Sequence, residues 1–108
     1  MLSLIALAAT SALICQPTAK NVCSGGRCVA VQVTTWAQVD PARQTYSRCD
    51  PRGCDTYDAT LSQSGVFETV EVPTRALIAR IGPNGEFLEV ATLGTDAYIS
   101  HGSCRPKE

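Results

Sequence analysis

Six cysteines stand in a chain of 108 residues, and four of them form two pairs with the same spacing. The pairs occur in the stretches CSGGRC, from Cys23 to Cys28, and CDPRGC, from Cys49 to Cys54, and each surrounds a glycine-containing turn. Small domains compensate for a thin core with disulfides when they fold in an oxidising compartment. The compartment therefore determines whether these cysteines form disulfides or bind a metal.

The N-terminal stretch MLSLIALAATSALIC indicates export. It is apolar and carries no charged side chain before Lys20. Its length suits the apolar segment of a secretory signal, roughly 7–15 residues, rather than the ~20 residues of a membrane span. A small-x-small cleavage site ends at Ala12, so we predict a signal peptide over residues 1–12, with its end open up to residue 19, and a single small β domain over residues 20–108. Cleavage after Ala12 leaves six cysteines, an even number.

The composition argues against several classes of partner. The formal net charge is −1 and charged residues make up 18% of the chain, below the ~25% usual for globular domains. Lysines and arginines are scattered, so no basic surplus neutralises phosphates and nucleic-acid binding is not expected. A lipid anchor at Cys15 is not favoured, because Ile14 precedes it where lipoprotein signals have a small residue. We predict a periplasmic or secreted protein with no membrane span and no cofactor.

Short runs rich in Val, Thr, Ile, Tyr and Phe alternate with clusters of Gly, Pro, Asn and Asp, the pattern of antiparallel strands on short turns. Asn84-Gly85 is a strong hairpin signal within this pattern. No segment keeps a period of 3.6 residues, so helix is minor. We predict an all-β fold, a small antiparallel meander that forms a disulfide-stapled barrel or two-layer sandwich. Its seven candidate strands cover residues 28–37, 44–49, 54–61, 66–72, 76–81, 86–93 and 97–103.

The CDPRGC stretch predicts one particular strand register. If the turn spans residues 50–53, Cys49 lies opposite Cys54, close enough for a disulfide. The further pairs are Tyr46 with Tyr57 and Arg48 with Asp55. A slip of one residue loses every favourable pair, because side chains alternate between faces with a period of two. The alternative is a three-residue bulged turn, which places the two cysteines on opposite faces.

The pairing of the other four cysteines stays open at this point. CSGGRC allows the same hairpin pairing of Cys23 with Cys28. A bridge from Cys104 to Cys15 or Cys23 contributes over ~4 kcal/mol by loop entropy, against about 2 kcal/mol for a six-residue loop, so we expect Cys104 to bond to one of them. The alternative is an intracellular module that binds zinc through four thiolates, those of Cys23, Cys28, Cys49 and Cys54.

No catalytic constellation is visible, and we predict that the protein is not an enzyme. His101 is the only histidine, and nothing in the sequence links it to a nucleophile and an orienting carboxylate. The acids of the candidate strands lie three residues apart, so they point to opposite faces of a strand. The candidate binding residues are therefore polar residues at the tips of turns: Asp50, Arg52, Ser64 and Asn84.

The strings YSRCDPRGCDTY, SGVF, FLEVATLG and GSC resemble those of small exported cysteine-containing β proteins of Gram-negative bacteria, a family without an assigned activity. The resemblance covers residues 23–104 and implies no functional residue. In architecture alone, a stapled exported barrel is also similar to bacterial periplasmic lysozyme inhibitors. Their Ser-Gly-x-x-Tyr loop is not matched, because Glu68 stands at the tyrosine position.

These observations predict an exported cell-envelope binding or inhibitory module without catalytic activity, whose partner is an envelope protein or glycan. Two alternatives remain. One is a structural or stress-resistance envelope protein with no defined ligand site, and the other is the intracellular zinc module.

Overall fold

The computed structural model describes residues 11–107 of the chain, so residues 1–10 of the predicted signal segment lie outside the described residues. The described part contains ten strands, one 3-10 turn at Pro73–Arg75 and no α-helix. None of its helical segments has the length and hydrophobicity of a membrane span. The strands are β1 (Leu13–Ser24), β2 (Arg27–Val31), β3 (Trp36–Asp40), β4 (Thr45–Asp50), β5 (Gly53–Asp58), β6 (Thr60–Ser64), β7 (Phe67–Val72), β8 (Leu77–Ile81), β9 (Glu86–Leu93) and β10 (Asp96–Pro106).

All ten strands form one antiparallel sheet in the order β5-β4-β3-β1-β10-β9-β8-β7-β6, and β2 pairs with β1 outside this order. The two strands at the ends of the order, β5 and β6, are separated in sequence by Ala59 alone. The backbone N–H of Ala59 donates to the carbonyl oxygen of Gln44 at 3.0 Å. The sheet curls into a nearly closed barrel, which confirms the predicted all-β, disulfide-stapled fold.

The barrel has ten strands rather than about seven because three details were not visible in the sequence pattern. The region before residue 28 contributes β1, whose alternation is interrupted by Pro17 at a bulge, where proline is tolerated in a sheet. The candidate strand at 28–37 is divided into β2 and β3, and the one at 54–61 into β5 and β6. The chain is also more than one meander, since β1 pairs with both β3 and β10.

One face of each barrel strand lines the interior, where the core lies. The core consists of Leu13, Cys15, Ala37, Val39, Tyr46, Ala59, Val70, Val72, Leu77, Ala79, Ile81, Phe87 and Ala91. In β9 the buried residues are Phe87, Glu89 and Ala91, whereas Leu88 and Val90 lie half-buried on the opposite face. Val31 is exposed because β2 lies at the margin of the sheet.

Three disulfides join the six cysteines, and within residues 11–107 no cysteine is free. They are Cys15–Cys104, Cys23–Cys28 and Cys49–Cys54. The register of β4 on β5, with Tyr46 opposite Tyr57, is the predicted one. A sulfur bonded to another sulfur is not available as a thiolate ligand, so these bonds argue against zinc binding by Cys23, Cys28, Cys49 and Cys54.

Candidate functional site

An apolar cavity of about 370 Å³ opens at one end of the barrel, where β1 begins and β10 ends. Its volume lies within the ~300–1,000 Å³ typical of sites for small molecules. The loop after β3 and the loop between β8 and β9 contribute to its walls. The apolar lining is made mainly by Leu13, Val39, Pro41, Leu61, Ile81 and Pro106.

Glu68 is the acidic side chain of this lining. It stands two residues before the buried Val70 in β7 and therefore shares its interior face of the barrel, between Gln63 on β6 and Ile81 on β8. Partial burial removes water from the carboxyl group and thereby raises the pKa of Glu68. The ion pairs formed within residues 11–107 involve other carboxylates, those of Asp40, Asp50 and Glu89.

Arg105 is the basic residue of the lining, and the position of its side chain differs from that of Glu68. It follows Cys104 in β10 and therefore lies on the outward face of the strand, where it is exposed. A nearby cation, Lys107, donates from Nζ to the side-chain oxygen of Gln38 at 3.0 Å. The basic groups thus stand at the rim in contact with water, whereas the carboxyl group of Glu68 is directed inward.

The wall contributed by the β8–β9 loop is held against β10 by its backbone. Gly85 has a φ of +83°, and a side chain there would bring its Cβ to 2.7 Å from the carbonyl oxygen of Cys104. The carbonyl oxygen of Gly85 accepts a hydrogen bond from the N–H of Cys104 at 2.7 Å. The absence of a side chain at Gly85 therefore permits this close packing of loop and strand.

A disulfide reinforces the same part of the barrel. Cys104 lines the cavity, and its sulfur is bonded to Cys15, which is fully buried. The two residues lie opposite each other in the β1–β10 pair. The strands that form two sides of the cavity are therefore joined by a covalent bond as well as by their hydrogen bonds.

The structure separates the four candidate binding residues of the sequence analysis. Asn84 lines the cavity, and Ser64 lies at the same end of the barrel, where its Oγ accepts a hydrogen bond from Thr69 at 3.2 Å. Asp50 and Arg52 lie in the β4–β5 turn at the opposite end and form an ion pair at 3.6 Å. The N–H of Arg52 also donates to Oδ1 of Asp50 at 2.8 Å, an interaction typical of a turn.

Sequence reasoning did not identify Glu68 as a site residue. The available signal was its spacing from Val70 and Val72, which places a carboxyl group on the apolar face of a strand. His101 lies on the outward face of β10 and is exposed, so the strand directs it away from the cavity.

A second polar cluster lies inside the barrel, away from the cavity lining. The hydroxyl of Tyr46 donates to Oε2 of Glu89, and Nη2 of Arg48 lies 3.5 Å from Oε1 of the same carboxylate. Burial, followed by the charge of Glu89 and its hydrogen bond, raises the pKa of Tyr46 well above its ordinary value, while Arg48 acts in the opposite direction. Arg48 lies opposite Asp55 in the β4–β5 pair, as predicted, but its ion pair is with Glu89. Because Tyr46 and Glu89 are buried, we assign this cluster to the core of the barrel and not to a binding site.

Comparison with protein-family models, with curated proteins and with solved structures finds no match to this chain.

Proposed function

We propose that the protein is a non-catalytic binding module of the cell envelope, periplasmic or secreted, that holds a small apolar ligand in the cavity at the end of its barrel. The observation that carries this proposal is the cavity of about 370 Å³ with its aliphatic and proline lining. Such a lining removes apolar ligand surface from water, which contributes roughly 25 cal/mol per Å² buried. A glycan fits this lining poorly, because its hydroxyl groups would lose water without gaining partners.

The rigidity of the cavity supports a binding role. The Gly85–Cys104 backbone hydrogen bond and the Cys15–Cys104 disulfide hold the walls of the cavity together through contacts within the chain itself. A site that is already formed loses little conformational entropy when a ligand enters, and this improves affinity. The same features favour a fixed binding pocket over a site that assembles around its partner.

The disulfides support location outside the cytoplasm. Three disulfides among six cysteines point to an oxidising environment, since reducing systems keep cytoplasmic thiols free. The lack of catalysis is supported by the positions of the reactive groups. The single histidine faces outward, and the Tyr46–Glu89 pair is buried in the core.

The proposal is tested with 1-octanol as the probe and backbone amide NMR shifts as the measurement. We expect octanol to shift the resonances of Leu61, Ile81 and Gly85 together, and Leu61→Trp to abolish binding by filling the cavity. The matched control is Ile78→Trp, which enlarges an exposed side chain on the outward face of β8 and is expected to leave binding unchanged. Shifts that cluster elsewhere, or unchanged binding by Leu61→Trp, would contradict the proposal.

A further inference from the structure

The charge inside the cavity restricts the ligands that it accepts. Glu68 places a carboxyl group on the interior face of β7, among Leu61, Ile81 and the other apolar lining residues. None of the ion pairs formed within residues 11–107 includes Glu68. The apolar walls exclude part of the water that would otherwise hydrate this carboxylate. A cation that approaches the carboxylate stabilises it, because the positive charge compensates for the lost hydration.

The basic residues near the cavity do not supply that cation from within the barrel. Arg105 is exposed on the outward face of β10, and the ammonium group of Lys107 is hydrogen-bonded to Gln38. An anionic head group entering the cavity would meet the carboxylate of Glu68 in apolar surroundings, where repulsion between like charges is stronger than in water. The interior therefore favours a positively charged group over a neutral one, and a neutral group over an anion.

We propose that the cavity binds small cationic amphiphiles, molecules with an alkyl body and an ammonium head, and that Glu68 pairs with the head while the apolar walls cover the alkyl chain. This inference rests on the proposed function. A volume of about 370 Å³ holds roughly a dozen non-hydrogen atoms, taking ~30 Å³ as the share of one water molecule. The size therefore suits a chain of about eight carbons with a single amine, rather than a full lipid.

The proposal is tested by calorimetric titration with octylammonium, 1-octanol and octanoate at about pH 7.5, where free amines are protonated and ordinary carboxyl groups are ionised. We expect octylammonium to bind about tenfold more tightly than octanol, and octanoate to bind most weakly, since hydrogen bonds to charged groups contribute more than neutral ones. Added salt should reduce the preference for octylammonium, because it screens the head-group attraction.

Two variants assign this preference to one carboxyl group. Glu68→Gln keeps the shape of the side chain and is expected to lower the affinity for octylammonium to that for octanol or below it, because the ammonium head then loses water without gaining a charged partner, while the affinity for octanol stays unchanged. The matched control is Glu71→Gln on the outward face of β7, where the side chain is exposed. We expect this control to change neither affinity.

The possible outcomes separate this inference from the function on which it rests. If octanol binds and octylammonium binds no more tightly, the cavity is a ligand site but the charge selection is wrong. Tighter binding of octanoate would assign the head-group contact to Arg105 and would likewise overturn the inference. If none of the three compounds binds, the proposed function itself fails. A preference for octylammonium that survives Glu68→Gln would refute the role of Glu68.

Discussion

Glu89 shows how an acidic side chain is accommodated inside an apolar barrel. It is 5% exposed and lies between Phe87 and Ala91, both of which are buried. A buried charge is tolerated when it is paired and hydrogen-bonded, and here Tyr46 donates a hydrogen bond while Arg48 supplies a positive charge. If Tyr46 or Arg48 is removed, the buried carboxylate of Glu89 loses one of its two partners, and water does not replace it at this position.

We therefore expect Tyr46→Phe to lower the free energy of unfolding by about 1–3 kcal/mol, the range for an unsatisfied buried group. The pKa of Tyr46 is raised in the folded protein, so its stabilising contribution is complete below the unfolded tyrosine pKa of ~10 and is lost as the pH rises toward the higher folded pKa. The wild type should lose stability above about pH 10, and Tyr46→Phe should lack this part of the decrease. Urea unfolding at a series of pH values measures both effects.

The control for this experiment is Tyr98→Phe. Tyr98 is half-buried, and the ammonium group of Lys20 lies over its ring, 5.7 Å from the centroid. This variant keeps Tyr46 and should therefore keep the alkaline loss of stability. If Tyr46→Phe showed the same alkaline decrease as the wild type, the ionisation of Tyr46 would not be its cause.

The two cysteine-closed hairpins have the same sequence spacing but different surroundings. The β4–β5 hairpin belongs to the barrel wall, and Cys49 is buried opposite Trp36 of β3. In the β1–β2 hairpin, β2 pairs with β1 but lies outside the strand order of the barrel wall, and all five residues of β2 are exposed. The same local pattern thus forms part of the barrel wall in one hairpin and a peripheral arm in the other.

This difference predicts unequal effects of removing two equivalent disulfides. The double substitution Cys23→Ala with Cys28→Ala should lower the free energy of unfolding by about 2 kcal/mol or less, the loop-entropy value for a six-residue loop. Cys49→Ala with Cys54→Ala should lower it by about 1–2 kcal/mol more, because it also leaves a cavity at a buried position. Urea unfolding of the two variants measures the difference, and equal losses would show that the packing of Cys49 contributes nothing.

The Cys15–Cys104 disulfide acts on the whole barrel, because it joins residues separated by 89 positions. It connects β1 to β10. In the strand order, β1 lies between β3 and the part of the sheet that β6–β10 form. A loop of this length contributes about 4–5 kcal/mol by the chain-entropy estimate, a large share of the ~5–15 kcal/mol that stabilises a typical domain. The same bond therefore reinforces the pairing of β1 with β10 and the wall of the cavity that Cys104 lines.

Replacing both Cys15 and Cys104 with alanine should lower the free energy of unfolding more than removing either hairpin disulfide. The expected loss is at least about 4 kcal/mol, because the entropy of a long loop is combined with the loss of a buried side chain. Octanol binding should weaken in parallel, since Cys104 lines the cavity. Chemical denaturation measures the first effect, and octanol titration in the absence of denaturant measures the second. A loss no larger than that of Cys23→Ala with Cys28→Ala would contradict this prediction.

The amino-acid sequence by itself determined the local features of this protein. Alternating side chains and turn residues predicted an all-β fold, and the pairing of Tyr46 with Tyr57 predicted the register of the β4–β5 hairpin. These features depend on residues that are neighbours along the chain, so propensity and turn chemistry are sufficient to specify them.

The tertiary structure alone decided which distant strands meet. It placed β1 between β3 and β10, and it paired Cys104 with Cys15 rather than with Cys23. It also directed Glu89 into the barrel, although the neighbouring Leu88 and Val90 of β9 are more hydrophobic and face outward. In addition, it placed Glu68 in a cavity. Each of these outcomes depends on contacts between residues that are far apart in sequence, and no periodicity within one strand records such contacts.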